Sequence, residues 1–221
     1  MTAPKEEEAP KLTTVQDFQK EDVLAEALKE AHIADWHYPV WEKKTTEGDI
    51  NDANAEARRL MVLKSYEVLD SNKDVDFDDL TKEARDLFQV PVAVVSLVDI
   101  GRQWFKSVQG FPATETPRCI SFCQHVVKRK DRVGPMVIEN ATSDDRFKDN
   151  PLVTGPTNLR FYAGAPLKTP EGEILGSFCI LDFQPRNLTT AQVQRLEDFA
   201  QEAVFLMITR APARSSRRAS T

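Results

Sequence analysis

The run "PVAVVSLVD" (91–99) constrains the fold of this chain more than any other stretch. It is almost wholly apolar and rich in β-branched side chains, the pattern of a central strand covered on both faces. Only Ile100-Gly101 separates it from "RQWFKSVQG" (102–110), so the two runs predict an antiparallel hairpin. A second pair, "RFYAGAPLKT" and "EILGSFCILDF", flanks the turn residues "PEG" and predicts another hairpin, and "PMVIEN" (135–140) adds a short strand. A sheet buried on both faces needs a layer on each side, and the rest of the chain supplies helices for it.

The segment 55–70 shows Leu60, Leu63, Val68 and Leu69 at helical recurrence. "DFDDLTKEARDLFQ" (76–89) opens on an acidic first turn and offers Leu80, Ala84, Leu87 and Phe88 as its buried side. A long closing helix, capped near Thr189 or Thr190, carries Val193, Leu196, Phe199, Ala200, Ala203, Val204 and Met207 on one stripe. The order helix, helix, hairpin, helix, strand, loop, hairpin, helix predicts an α+β fold, an antiparallel β-sheet sandwiched by helices.

The flanks differ from this middle. Residues 1–55 hold 13 acidic and 6 basic side chains, whereas "APARSSRRAST" (211–221) is basic and has no acid. These shifts divide the chain into an acidic N-terminal extension (1–54), a core domain (55–210) and a disordered basic tail (211–221). Within the extension, residues 14–33 read as a helix, the segment around Trp36 and Trp41 as an aromatic docking stretch, and 44–54 as a linker. The start "MTAPKEEEAP" lacks the basic-then-apolar pattern of a secretory signal, so the expected setting is the cytoplasm, with its three cysteines reduced. A net charge of −6 argues against nucleic acid and anionic membrane as partners. No apolar run is long enough to span a bilayer.

"RCISFCQH" (118–125) gathers two of the three cysteines and one of the three histidines. Cys-x3-Cys supplies only half of a zinc site, and no second ligand pair has suitable spacing, so the count argues against zinc or any other metal. Read as a helix start, the segment puts Cys119 at the positive helix end beside Arg118, where a thiol becomes acidic and reactive. The competing reading packs Phe122, Cys123 and Val126 inward as core. There is no Ser-His-acid constellation and no glycine-rich phosphate loop, and Asp78-Asp79 and Asp144-Asp145 read as caps.

The phrases "FDDLTKEARDLFQVPVAVVSLVDIGRQWFKS", "ETPRCISFCQH", "DNPLVTGPTNLRFYAGAPL" and "LGSFCILDFQPRNLT" resemble a GAF domain, the small-molecule-sensing module of signalling proteins. The resemblance runs from about residue 58 to 208. It implies a ligand pocket on one face of the sheet, bordered by Phe122 and Cys123. Its roof would run from Phe147 to Leu159, and its floor would lie near Trp104, Tyr162 and Cys179. Asp145, Arg146, Asn150 and Arg160 are the polar groups nearest that roof, with capping and surface pairing as their competing roles.

Cyclic-nucleotide binders of the family carry an Asn-Lys…Phe-x-x-x-Asp-Glu signature. Here Asn72-Lys73 precedes the first strand and the second half is missing. Bilin binders attach their chromophore at Cys-His, and Cys123-Gln124-His125 has one residue too many, which argues against a covalent bilin. The resemblance leaves the ligand unknown. It implies a non-enzymatic sensing or adaptor module in signal transduction, acting through a protein partner or a homodimer. Two alternatives stand beside it. One is a thiol-dependent oxidoreductase like the free methionine sulfoxide reductases of the same fold, using Cys119, Cys123 and Cys179, although their motif is not reproduced. The other is a ligand-free GAF interaction module. "RRAS" (217–220) matches a basophilic-kinase preference and makes Ser220 a phosphorylation candidate.

Overall fold

The computed structural model describes residues 47–129 and 134–211, with side chains from residue 53 onward. The expected helix over 14–33, the Trp36–Trp41 segment and Ser220 lie outside the described residues.

The chain divides into two compact units, Met1–Met61 and Val62–Thr221. Helix α1 (Glu47–Ser65) begins in the first. Its start falls inside the segment expected as a linker, because Ala53, Ala55, Glu56 and Ala57 carry strong helix propensity and no proline interrupts them. Arg59 grips Glu56 one turn back with two hydrogen bonds of 2.8 and 2.7 Å.

The second unit contains α2 (Val75–Phe88), β1 (Val92–Val98), β2 (Arg102–Gln109), β3 (Glu115–Pro117), α3 (Cys123–Lys128), β4 (Met136–Ile138), α4 (Pro151–Thr154), β5 (Phe161–Lys168), β6 (Ile174–Asp182) and α5 (Thr190–Arg210). Short 3-10 turns occupy Arg118–Ile120 and Ala141–Ser143. Asp74 caps α2 by accepting from the Asp76 amide, and Thr189 with Gln192 forms a reciprocal capping box on α5. The buried side of α2 is Phe77, Leu80, Thr81, Ala84 and Phe88. Leu87, expected among them, is exposed, since the stripe centres on Phe77, Ala84 and Phe88.

The six strands form one antiparallel sheet in the order β3-β2-β1-β6-β5-β4. Strand β1 is central and buried at every position, as its composition demands. Both expected hairpins are present, β1–β2 and β5–β6, and the first turn closes with the Asp99 amide donating to the Arg102 carbonyl at 2.9 Å. The short β3 was not expected.

Helices α2 and α5 cover one face, where Phe178 of β6 stacks on Phe199 of α5 with centroids 5.3 Å apart. Phe199 also tilts against Phe88 of α2. The opposite face carries α3 and a second apolar cluster.

A β-bulge decides which β2 residues face which layer. Val95 pairs with Ser107 and Ser96 with Phe105, leaving Lys106 as the extra residue. Lys106 and Ser107 therefore both reach the α2 side. The Lys106 ammonium donates to the Asn72 carbonyl at 2.7 Å, and the Ser107 hydroxyl donates to Asp78 at 2.6 Å. Gln103, Phe105 and Val108 turn to the other face, where the candidate site lies.

Candidate functional site

Between the sheet and the α3 side lies a partly open, mostly apolar cavity of about 40 Å³. Its floor comes from alternate residues of four strands: Val92 and Val94 of β1, Gln103 and Phe105 of β2, Tyr162 of β5, and Cys179 and Leu181 of β6. Phe122 and Cys123 close one wall, and Leu152, Thr157 and Leu159 form the roof. Phe147 is fully buried above this wall, its ring stacked on Phe122 with centroids 3.9 Å apart and planes 11° apart.

Five of the residues expected at a pocket converge here. Phe122, Cys123, Tyr162 and Cys179 line the cavity and Phe147 backs it. The reading of Phe122, Cys123 and Val126 as inward-packed matches their burial. Trp104 does not take part. Its neighbours Gln103 and Phe105 face the cavity, so strand alternation turns Trp104 to the opposite face.

The expected polar residues brace the roof from outside. Arg146 makes a two-point pair with Asp144, at 2.9 and 2.7 Å, and its guanidinium sits 5.0 Å from the Phe147 ring centre. Asp145 is exposed and accepts from Lys148 at 2.8 Å. Asn150 caps α4 by accepting from the Leu152 amide at 2.9 Å, and its Nδ2 donates to the Ile120 carbonyl at 3.0 Å. Arg160 donates to the Val153 and Leu159 carbonyls and to the Asn158 side chain.

The cysteine segment departs from a single helix. A 3-10 turn at Arg118–Ile120 ends at extended Ser121, and α3 begins only at Cys123. Cys119 is therefore not at a helix start; it is exposed and outside the cavity. Arg118 is buried, and its guanidinium donates to the Asp99 carbonyl at 2.9 Å, under the β1–β2 turn and away from any thiol role. His125 sets its ring edge-on to Phe147. Burial, with Arg146 and Lys128 nearby, pushes its pKa below the ordinary 6.5 against the opposing pull of Asp144.

Three polar features face inward. The Gln103 side chain accepts from the Ser121 hydroxyl. The Tyr162 hydroxyl donates to Cys123 Sγ at 3.3 Å and lies 3.1 Å from the Ser177 hydroxyl. Thr116 lines the cavity beside Gln103, and among the described residues its buried hydroxyl oxygen has no hydrogen-bond partner. Gln103 and Thr116 carried no signal in the sequence, since nothing in a polar residue of a half-buried strand marks the face it takes.

The model of the GAF domain family matches residues 74–205. A cyclic di-GMP phosphodiesterase of Pseudomonas aeruginosa is 42% identical over 135 residues, which are 61% of this chain and 22% of that protein. This chain thus spans about a fifth of that relative's length. Among solved structures, a far-red cyanobacteriochrome photoreceptor superposes with a TM-score of 0.50 at 12% identity, covering 71% of this chain and 98% of the other. The GAF domain of an Acinetobacter phosphoenolpyruvate-protein phosphotransferase gives 0.49 at 17% identity, covering 67% and 94%. The six-stranded antiparallel sheet, its helical layers and a family match over more than half of the residues agree: this chain belongs to the GAF domain family.

Proposed function

We propose that the domain is a non-enzymatic sensor that holds a small molecule in the cavity between sheet and roof and signals its occupancy through protein contacts. The carrying observation is the cavity itself, apolar on most sides yet lined by Thr116, whose buried hydroxyl has no partner among the described residues. Its size narrows the ligand. About 40 Å³ holds two to four water-sized molecules, far below the several hundred Å³ of a drug-sized site. A nucleotide or tetrapyrrole would need the roof displaced and the Phe122–Phe147 stack broken.

The output side also has support. Phe205 and Ile208 stand exposed on α5, on the surface away from the cavity, where a partner or second copy could cover them. The Pseudomonas relative shares a stretch the length of one GAF domain, which supports a signalling role for the shared module and leaves phosphodiesterase chemistry with that protein.

Native mass spectrometry of the purified chain tests the reading. A small adduct retained under native conditions and lost on denaturation is expected. A chain that carries no adduct, and binds none from a small-metabolite library, would leave only an interaction module.

A further inference from the structure

We propose that Cys123 and Cys179 are a peroxide-sensitive dithiol that closes to an intramolecular disulfide across the cavity. The proposal goes beyond the sensing reading and does not depend on which molecule the cavity retains. The two sulfurs are 3.7 Å apart, one on the first residue of α3 and the other on β6. A disulfide needs about 2.05 Å, so the sulfurs must close by roughly 1.7 Å.

Buried cysteines are commonly inert packing. Two features separate this pair from that case. Both cysteines line a cavity of about 40 Å³, room enough for one hydrogen peroxide molecule. The Tyr162 hydroxyl also donates to Cys123 Sγ from inside the core. Gly164 makes space for that hydroxyl: a Cβ at this position would stand 2.2 Å from Tyr162 Oη.

The environments divide the roles. Burial pushes the Cys123 thiol up, and hydrogen bonds from Cys179 and the Tyr162 hydroxyl act against it, leaving the thiol below its ordinary range. Cys179, hydrogen-bonded to Cys123 and buried, is pushed well above its ordinary range. The Tyr162 hydroxyl, which donates to Cys123 Sγ at 3.3 Å, makes Cys123 the attacking sulfur and Cys179 the resolving one. Cys123 sulfur attacks one peroxide oxygen, the O–O bond breaks, and the departing hydroxide leaves as water with the Cys123 proton. The Cys179 sulfur then attacks the sulfenic acid formed on Cys123; an S–S bond forms, the S–O bond breaks, and the hydroxide leaves as water with the Cys179 proton. Two thiols lose two electrons and two protons, and one peroxide becomes two waters.

The experiment uses the full chain carrying Cys119→Ser, which removes the exposed thiol and leaves the cavity untouched. After peroxide treatment and alkylation, the intact mass is expected to fall by about 2 Da, the loss of two hydrogens on disulfide formation. A non-reducing peptide map should join the Cys123 and Cys179 peptides, and dithiothreitol should reverse the link. Tyr162→Phe keeps the ring and removes only the donor. It should slow cross-linking several-fold while circular dichroism shows the same folded state, a change that a packing role for the hydroxyl would not produce. Oxygen adducts on Cys123 without a cross-link, or a cross-link that forms only in urea, would overturn the proposal. Either result leaves the retained-adduct test of the sensing reading unaffected.

Discussion

Replacing Phe147 by alanine asks whether the roof above the cavity is a piece of core or a loose lid. Phe147 is fully buried, stacks on Phe122 at 3.9 Å, receives the edge of His125 at 4.8 Å, and lies under the Arg146 guanidinium. Fully buried Phe→Ala changes cost roughly 3–5 kcal/mol, from lost transfer energy plus the cavity left behind. Three ring-directed contacts place this site near the middle of that range, at about 4 kcal/mol. A domain of this size unfolds with a urea slope of about 2 kcal/mol/M, so the midpoint should fall by about 2 M with the slope unchanged. Equilibrium unfolding followed by far-ultraviolet circular dichroism reads both quantities. Phe147→Leu, which keeps most of the apolar bulk, should lose less than half as much. A midpoint shift under about 0.5 M for the alanine variant, equivalent to about 1 kcal/mol, would refute the reasoning and make Phe147 a flap held by little.

Three further perturbations probe the parts around it. Asn150→Ala removes both the α4 cap and the tether to the Ile120 carbonyl, so about 1–2 kcal/mol should be lost. Amide exchange should quicken across residues 151–159, and unchanged protection there would show that the tether does not hold the roof. Gly176→Ala would put a Cβ 1.9 Å from the Ser96 carbonyl oxygen and 2.9 Å from Leu97 Cα, against the backbone of the central strand. No side-chain motion relieves that contact, so the variant should fail to give a cooperative unfolding transition; near-wild-type melting would contradict the strand spacing. His125 has its pKa lowered by burial, Arg146 and Lys128, with Asp144 opposing, so the fold favours the neutral ring. Its contribution is present above pH 6.5 and is lost as pH falls through the lower folded value. His125→Phe should therefore flatten the acid limb of the urea midpoint below pH 6.5, and parallel limbs for the two proteins would exclude His125 as its source.

The strands and long helices were legible because burial imposes a period on them. Val92–Val98 had to be central whatever it paired with, and the α5 stripe from Leu196 to Met207 is buried at each of its apolar steps. The site was legible only as a region. The GAF resemblance put the floor near Trp104, yet the face Trp104 takes follows from pairing with β1, and the bulge at Lys106 changes that pairing within the same strand. Cys123 and Cys179 lie 56 residues apart in sequence, and only the packing of α3 on β6 makes them neighbours. Arg118 read as a charge beside a thiol, but three turn carbonyls lie closer in the fold: its backbone amide takes Gly101, and its guanidinium takes Asp99 and Ile100.

The polar residues of the roof show most plainly where sequence reasoning stops. Asp145, Arg146, Asn150 and Arg160 have the same composition and spacing whether they greet a ligand or hold a loop. Hydrogen bonding decides between the two. All four have protein partners, so drawing any of them to a ligand means breaking a bond already made. Thr116 carries no motif and sits on a three-residue strand, yet its buried hydroxyl faces the cavity without a partner among the described residues. A buried hydroxyl gains most from the first donor or acceptor that reaches it. The polar contact to a bound molecule should therefore come from the sheet edge at Thr116 and Gln103, and the charged roof should keep its bonds and hold the lid in place.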